Sequence, residues 1–143
     1  MANEIELIGY GGVLKFEVLG YENPSAQDLS DANWLRCNVL ARIGTFSGNI
    51  SASFTTKDFI GFRDELRALL TKQSGVASFL TDEEQVRLRV EVGMTGIVCI
   101  EGNMQTYDTP QAALSFSFES DSSLLTQALS GLERLSKEFP VKE

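Results

Sequence analysis

The sequence predicts an α+β fold, in which antiparallel β-meanders each lead into one amphipathic helix packed on the sheet. Three observations predict it. Alternation of apolar and polar residues at period two recurs in both halves of the chain, and a helical stripe closes each half. The length of 143 residues and the apolar fraction of 43% are those of one globular domain with a sizeable core.

Taken in order, Glu4 to Ile8 reads as a first strand, and Leu14, Phe16 and Val18 share one face of a second. Between them lies Gly9-Tyr10-Gly11-Gly12. A phosphate-cradling fingerprint needs a GxGxxG spacing followed by a helix, whereas Val13 to Leu19 alternates like a strand, so these glycines read as a tight turn. Leu35, Cys37, Val39, Ala41 and Ile43 then alternate, Gly44-Thr45 turns the chain, and Phe46, Gly48, Ile50, Ala52 and Phe54 take the packed face of the returning strand. From Thr55 to Lys72 the period changes: Phe59, Phe62, Leu66 and Leu69 form a helical stripe, with Thr55 to Asp58 as cap and acidic first turn. Gly75 is placed to end that helix.

The second half repeats the plan. Val86, Leu88, Val90 and Val92 make one strand, Gly93-Met94-Thr95-Gly96 a turn, Ile97 to Ile100 the next strand, and Leu114, Phe116 and Phe118 a third. Asp121 or Ser122 opens a final helix striped by Leu125, Leu129, Leu132 and Leu135, which stops at Phe139-Pro140. The strand-to-helix junction at Ser53 to Asp58 returns 64 residues later at Ser117 to Asp121. A duplicated unit would explain this, and so would the common needs of any such junction, a packed aromatic and a capping side chain. Neither half could bury its helix stripe and sheet face alone. The expectation is one domain over 1–143, with pseudo-halves of about 1–73 and 74–143, the helices covering a sheet formed by both.

Composition closes several functional classes. The net charge is −8, with 7 basic and 9 acidic residues in 1–73 and 5 and 11 in 74–143. No basic face for nucleic acid is visible. Histidine is absent, which removes the commonest general base and zinc ligand. Cys37 and Cys99 lie in separate apolar stretches with no CxxC spacing, so they read as core side chains and not as a metal site or disulfide. No apolar run approaches the roughly 20 residues of a membrane span, and the opening MANEIELIGYGG is no export signal, so a cytoplasmic address is expected. Asn49-Ile50-Ser51 matches a glycosylation sequon but lies within a strand. Asp82, Glu83 and Glu84 read as a solvated bend. No catalytic residue, cofactor or metal site is predicted, and the acidic balance suits a basic protein partner.

Gly20 to Trp34, GYENPSAQDLSDANW, is the longest aperiodic stretch. Glu22, Asp28 and Asp31 with the single tryptophan, Trp34, are good contact material, an aromatic ring beside carboxylates. The competing reading is structural: Asp28, Asp31 and Asn33 as turn formers, and Trp34 fixing the loop to the sheet. The calcium reading fails because the alternating DxDxDG ligands are missing.

Gly20-Tyr21-Glu22-Asn23-Pro24, Asp28 and Asp31-Ala32-Asn33-Trp34-Leu35 resemble the opening signature of the WapI-like family of bacterial immunity proteins. The resemblance continues through Phe46-Ser47-Gly48, Ala52-Ser53-Phe54, the helix with Phe62, Glu65, Leu66 and Leu69, and the closing Phe139-Pro140-Val141. It implies a non-enzymatic protein of a toxin–antitoxin type of system. Its task would be to bind and neutralise the toxic domain of a polymorphic toxin, often a nuclease; the contacts expected from the loop reading above are Glu22, Asp28, Asp31 and Trp34. The alternative function is a small-ligand-binding module, or a self-associating one whose sheet edge pairs with another copy as a homodimer. An enzyme built on Asp28 and Asp31 ranks third.

Overall fold

Alternation over the first 55 residues produces an antiparallel meander. In the computed structural model, which describes residues 3–81 and 83–142, β1 (Asn3–Ile8), β2 (Gly12–Tyr21), β3 (Trp34–Ile43) and β4 (Phe46–Thr55) hydrogen-bond in that order. A one-turn helix, α1 (Leu29–Ala32), interrupts the connection from β2 to β3. Helix α2 (Thr56–Lys72) follows β4 directly through a capping box: the Asp58 N–H donates to Thr55 Oγ1 (3.2 Å) and the Thr55 N–H to Asp58 Oδ2 (2.8 Å). The second half is built alike, from β5 (Gly75–Leu80), β6 (Val86–Val92), β7 (Val98–Gln105), β8 (Ala113–Ser120) and α3 (Ser122–Glu138). Asp121 caps α3, accepting from the Leu124 N–H at 2.9 Å.

The structure departs from expectation in several places, one of them the end of α2: Gln73, in the left-handed region at φ +56°, caps that helix, and Gly75 opens β5 instead. There are two four-stranded sheets, not one shared by both halves. Their only isolated bridge among the described residues joins Tyr10 to Glu119, with the Tyr10 N–H donating to the Glu119 carbonyl (2.8 Å). Strand β5 is an element the alternation concealed: Ala77 and Phe79 face inward, but Val76 and Leu80 on the opposite face are apolar too and partly or largely exposed. Phe46, assigned to the packed face, is 69% exposed because the inward row of β4 ends at Gly48, against Leu114 and Met104.

Each helix packs on the first strand of the opposite half, α2 on β5 and α3 on β1. The contacts show why. A Cβ at Gly131 of α3 would lie 2.7 Å from the Glu4 carbonyl oxygen, so only glycine lets that helix sit on β1. On α2, Glu65 Oε1 accepts the Ser78 N–H of β5 at 3.0 Å. Arg67 and Glu133 join the two helices at 3.1 Å.

One cluster of buried residues draws on both halves. At its centre Phe79 of β5 lies 5.3, 5.1, 5.4 and 5.7 Å from the rings of Phe16, Phe54, Phe59 and Phe62. Most of these contacts are edge-to-face, the arrangement the ring quadrupoles prefer. The predicted stripe of α2 (Phe59, Phe62, Leu66, Leu69) is buried in full; on α3, Leu125, Leu132 and Leu135 are buried and Leu129 partly so. The turn from β1 to β2 presses on β8, where a Cβ at Gly9 or Gly12 would fall 2.3 Å from the Glu119 carbonyl oxygen or 2.5 Å from the Phe118 ring. That close approach, and not a phosphate, is what requires glycine at these two positions. Cys37 is buried, Cys99 lies half-buried on the outer side of β7, and both thiols are free.

Candidate functional site

The aperiodic segment begins where β2 leaves the sheet. A register shift between Val18 and Gly20, with Gly20 at φ +150°, ends the regular ladder. The chain departs at Glu22 and returns at Trp34, where the Glu22 N–H donates to the Trp34 carbonyl (2.8 Å). Within this closed loop the Ala26 N–H bonds to the Asn23 carbonyl (3.1 Å). The Asp28 carbonyl accepts from the Asp31 and Ala32 N–H groups (3.1 and 3.0 Å), starting α1.

Two residues of the signature pin the end of the chain. Asn33 is 8% exposed. Its Nδ2 donates to the carbonyls of Leu29 (3.1 Å) and Lys142 (3.3 Å), and its Oδ1 accepts the Lys142 N–H (2.7 Å). Its own carbonyl accepts the Thr56 N–H at 3.1 Å, so the same residue also seats the start of α2. Tyr21 donates its hydroxyl to the Pro140 carbonyl (2.8 Å), packs edge-to-face on Phe139 (5.3 Å), and carries Lys142 Nζ 4.0 Å above its ring. Tyr21 and Asn33 thus act as a clamp across more than a hundred residues of sequence. Short-range turn chemistry, the basis for reading Asn33 locally, gives no sign of such partners.

The predicted contact residues are placed around this clamp. Glu22, Asp28 and Asp31 are exposed on one loop. Trp34 opens β3 opposite Thr55, the cap of α2, and is only half-buried. Glu22 is tied to the sheet edge, its Oε1 accepting from Ser53 Oγ (2.8 Å). Its negative charge adds to burial in pushing the Cys37 thiol up to about 12, burial being the larger cause.

A second acidic segment, the 83–85 turn, is joined to the same strand edge. Gln85 reaches β4, accepting the Ser53 N–H (3.4 Å) and donating to the Ser51 carbonyl (3.3 Å). It is held in place by the Gln105 N–H, which donates to the Gln85 carbonyl (2.9 Å). Gln105 Nε2 donates to the Glu84 carbonyl (3.0 Å), and the Tyr107 hydroxyl donates to the carbonyl of Glu83. Glu22 and Gln85 therefore meet at Ser53 on the β4 edge, and the connection from β7 to β8 backs the 83–85 turn. Together these segments expose Glu22, Glu83, Glu84 and Asp108. Glu84 is paired with Arg87 (2.9 Å), an exposed contact of little energetic weight. Asp82, read with this turn from the sequence, lies outside the described residues.

This acidic rim is the candidate site. It offers carboxylates in water, suited to attracting a basic surface. No three His, Cys, Asp or Glu side chains among the described residues converge to hold a metal ion. A separate open groove of about 450 Å³ on the outer face of the first sheet is lined by Val13, Lys15, Leu40, Arg42, Ser47 and Asn49, and contains none of the loop residues.

The immunity protein WapI-like family matches residues 6–140. The chain belongs to the WapI-like immunity protein family. That span takes in both halves and the clamp residues Tyr21 and Asn33, with their partners Phe139 and Pro140 but not Lys142, so the resemblance first visible in the GYENP and DANWL blocks holds for nearly the whole chain. No curated protein is similar enough to match it.

Proposed function

We propose that this WapI-like protein binds the toxic domain of a polymorphic bacterial toxin and neutralises it by occupying its surface, with no reaction of its own. The family match over residues 6–140 carries the reading. The contacts are assigned to Glu22, Asp28 and Asp31, with Trp34 as the aromatic anchor and Glu83, Glu84 and Asp108 extending the rim. The −8 charge of the chain supports a basic target, a nuclease being one such class, because opposite charge raises the encounter rate and close packing then sets the lifetime. The place of action is the cytoplasm. No helix among the described residues is long and apolar enough to cross a membrane.

The test is to co-express the protein with the toxin domain encoded beside it. Recovery of a complex together with restored growth is the expected result. A toxin domain that kills regardless overturns the reading.

A further inference from the structure

Four sheet edges must be kept from pairing with other chains, since an open edge is a template for another strand. Three have visible protection. The β1 edge lies under α3, the β5 edge lies under α2 with Glu65 on its Ser78 N–H, and the middle of β4 is covered by the Gln85 side chain. The β8 edge is different. Because Glu119 turns its carbonyl outward to Tyr10, the alternation of the strand turns the main-chain groups of Ala113, Ser115 and Ser117 outward as well. Among the described residues these groups have no hydrogen-bond partner. The window Ala113-Leu-Ser-Phe-Ser117 has no charge, no proline and no bulge, and Ala113, Ser115 and Ser117 are exposed.

We propose that residues 113–117 of β8 pair antiparallel with the same residues of a second copy of this chain, about a two-fold axis at Ser115. Two four-stranded sheets thereby become one continuous sheet. The window is self-complementary, as an isologous contact requires: Ser115 meets itself and Ala113 faces Ser117, small beside small. Its length fits too. Tyr10 closes the edge at Glu119, so pairing centred on Ser115 uses the free stretch and stops where each copy is already bridged. Charge does not forbid pairing along this strip. Copies carrying −8 each repel one another, and the window is uncharged, its neighbour Asn103 donating to Ser115 Oγ at 3.0 Å while Glu101 sits 3.7 Å from Arg89. Five residues of edge pairing bury less than a standard interface, so the dimer is weak and concentration-dependent.

Sedimentation equilibrium of the full chain over about 10 to 1,000 μM, the range where a small interface is half-formed, tests this. The weight-average mass rises with concentration from 15.7 kDa toward twice that value. It rises further with added salt, which screens the repulsion between copies. Ser115→Lys sets two cations against each other at the axis, and Ser115→Pro removes only an outward-pointing donor, which an edge position tolerates. Both hold the mass at that of one chain while the circular dichroism melt stays that of the parent. Asn49→Lys, on the other partly open edge, leaves the rise unchanged. A chain that stays single at every concentration overturns the proposal. So does a dimer that survives both Ser115 variants, one abolished by Asn49→Lys, or a Ser115→Lys variant that loses only its hold on the toxin domain.

Discussion

Replacing Phe79 by alanine probes the joint between the two halves. Phe79 belongs to the second half, yet all four rings within 5.1 to 5.7 Å of it, those of Phe16, Phe54, Phe59 and Phe62, belong to the first, and it is 1% exposed. Truncating a buried phenylalanine costs about 3–5 kcal/mol through lost transfer energy and the cavity left behind. Four ring contacts place this site at the upper end, about 4–5 kcal/mol. A domain of this size has a total stability on the order of 5–15 kcal/mol, so the variant is left near its folding threshold. Urea denaturation, followed by tryptophan fluorescence for the first half and far-ultraviolet dichroism for both, measures the loss. The two probes should report one coincident transition at lower urea. Met94→Ala, at a fully exposed turn, should stay within about 0.5 kcal/mol of the parent. A Phe79→Ala cost under about 2 kcal/mol, or two separate transitions, would refute a core shared by the halves.

Asn33→Ala removes three hydrogen bonds to the Leu29 and Lys142 main chain. At about 1 kcal/mol each, it should cost about 2–3 kcal/mol and speed amide exchange at Lys142, as read by hydrogen exchange. Cys37 is buried with its thiol raised to about 12 while Cys99 is half-buried. A thiol reagent at pH 8 should therefore modify Cys99 alone in the folded chain and both after denaturation, and Cys99→Ser should abolish native labelling. Hydrogen bonds from Ser123, Tyr10 and the Leu124 N–H hold the Asp121 carboxyl down at about 2, from an ordinary 3.8. A depressed carboxylate stabilises the fold above its unfolded value and ceases to do so as acid is added. Melting temperature should thus fall between pH 4 and 2, and less steeply in Asp121→Asn.

Much of the fold was legible because its elements bury one face each. The alternation of Leu35 to Ala41 and of Ile50 to Phe54, and the stripe Phe59, Phe62, Leu66, Leu69, lie where those faces demand. Strand β5 was hidden because Val76 and Leu80 are apolar on its wet side, leaving no contrast between faces. The division into two sheets and the exchange of helices depend on close approaches such as Gly131 over β1 and Gly12 under Phe118. A glycine in a sequence does not say what comes near it. Of the site, the loop and its three exposed carboxylates were readable. The roles of Tyr21 and Asn33 were not, because their partners lie at residues 139–142, and neither was the joining of Glu22 to the 83–85 turn through Ser53 and Gln85.

The central claim is that this molecule disarms a toxin by stoichiometric occupancy. The most direct measurement is a titration of the purified toxin domain with the protein, reading residual toxin activity and, after dissociation, the intact mass of the toxin chain. Occupancy predicts a straight decline that reaches zero at one equivalent and a toxin of unaltered mass. Full inactivation at a small fraction of an equivalent, or a toxin recovered with a changed mass, would contradict it.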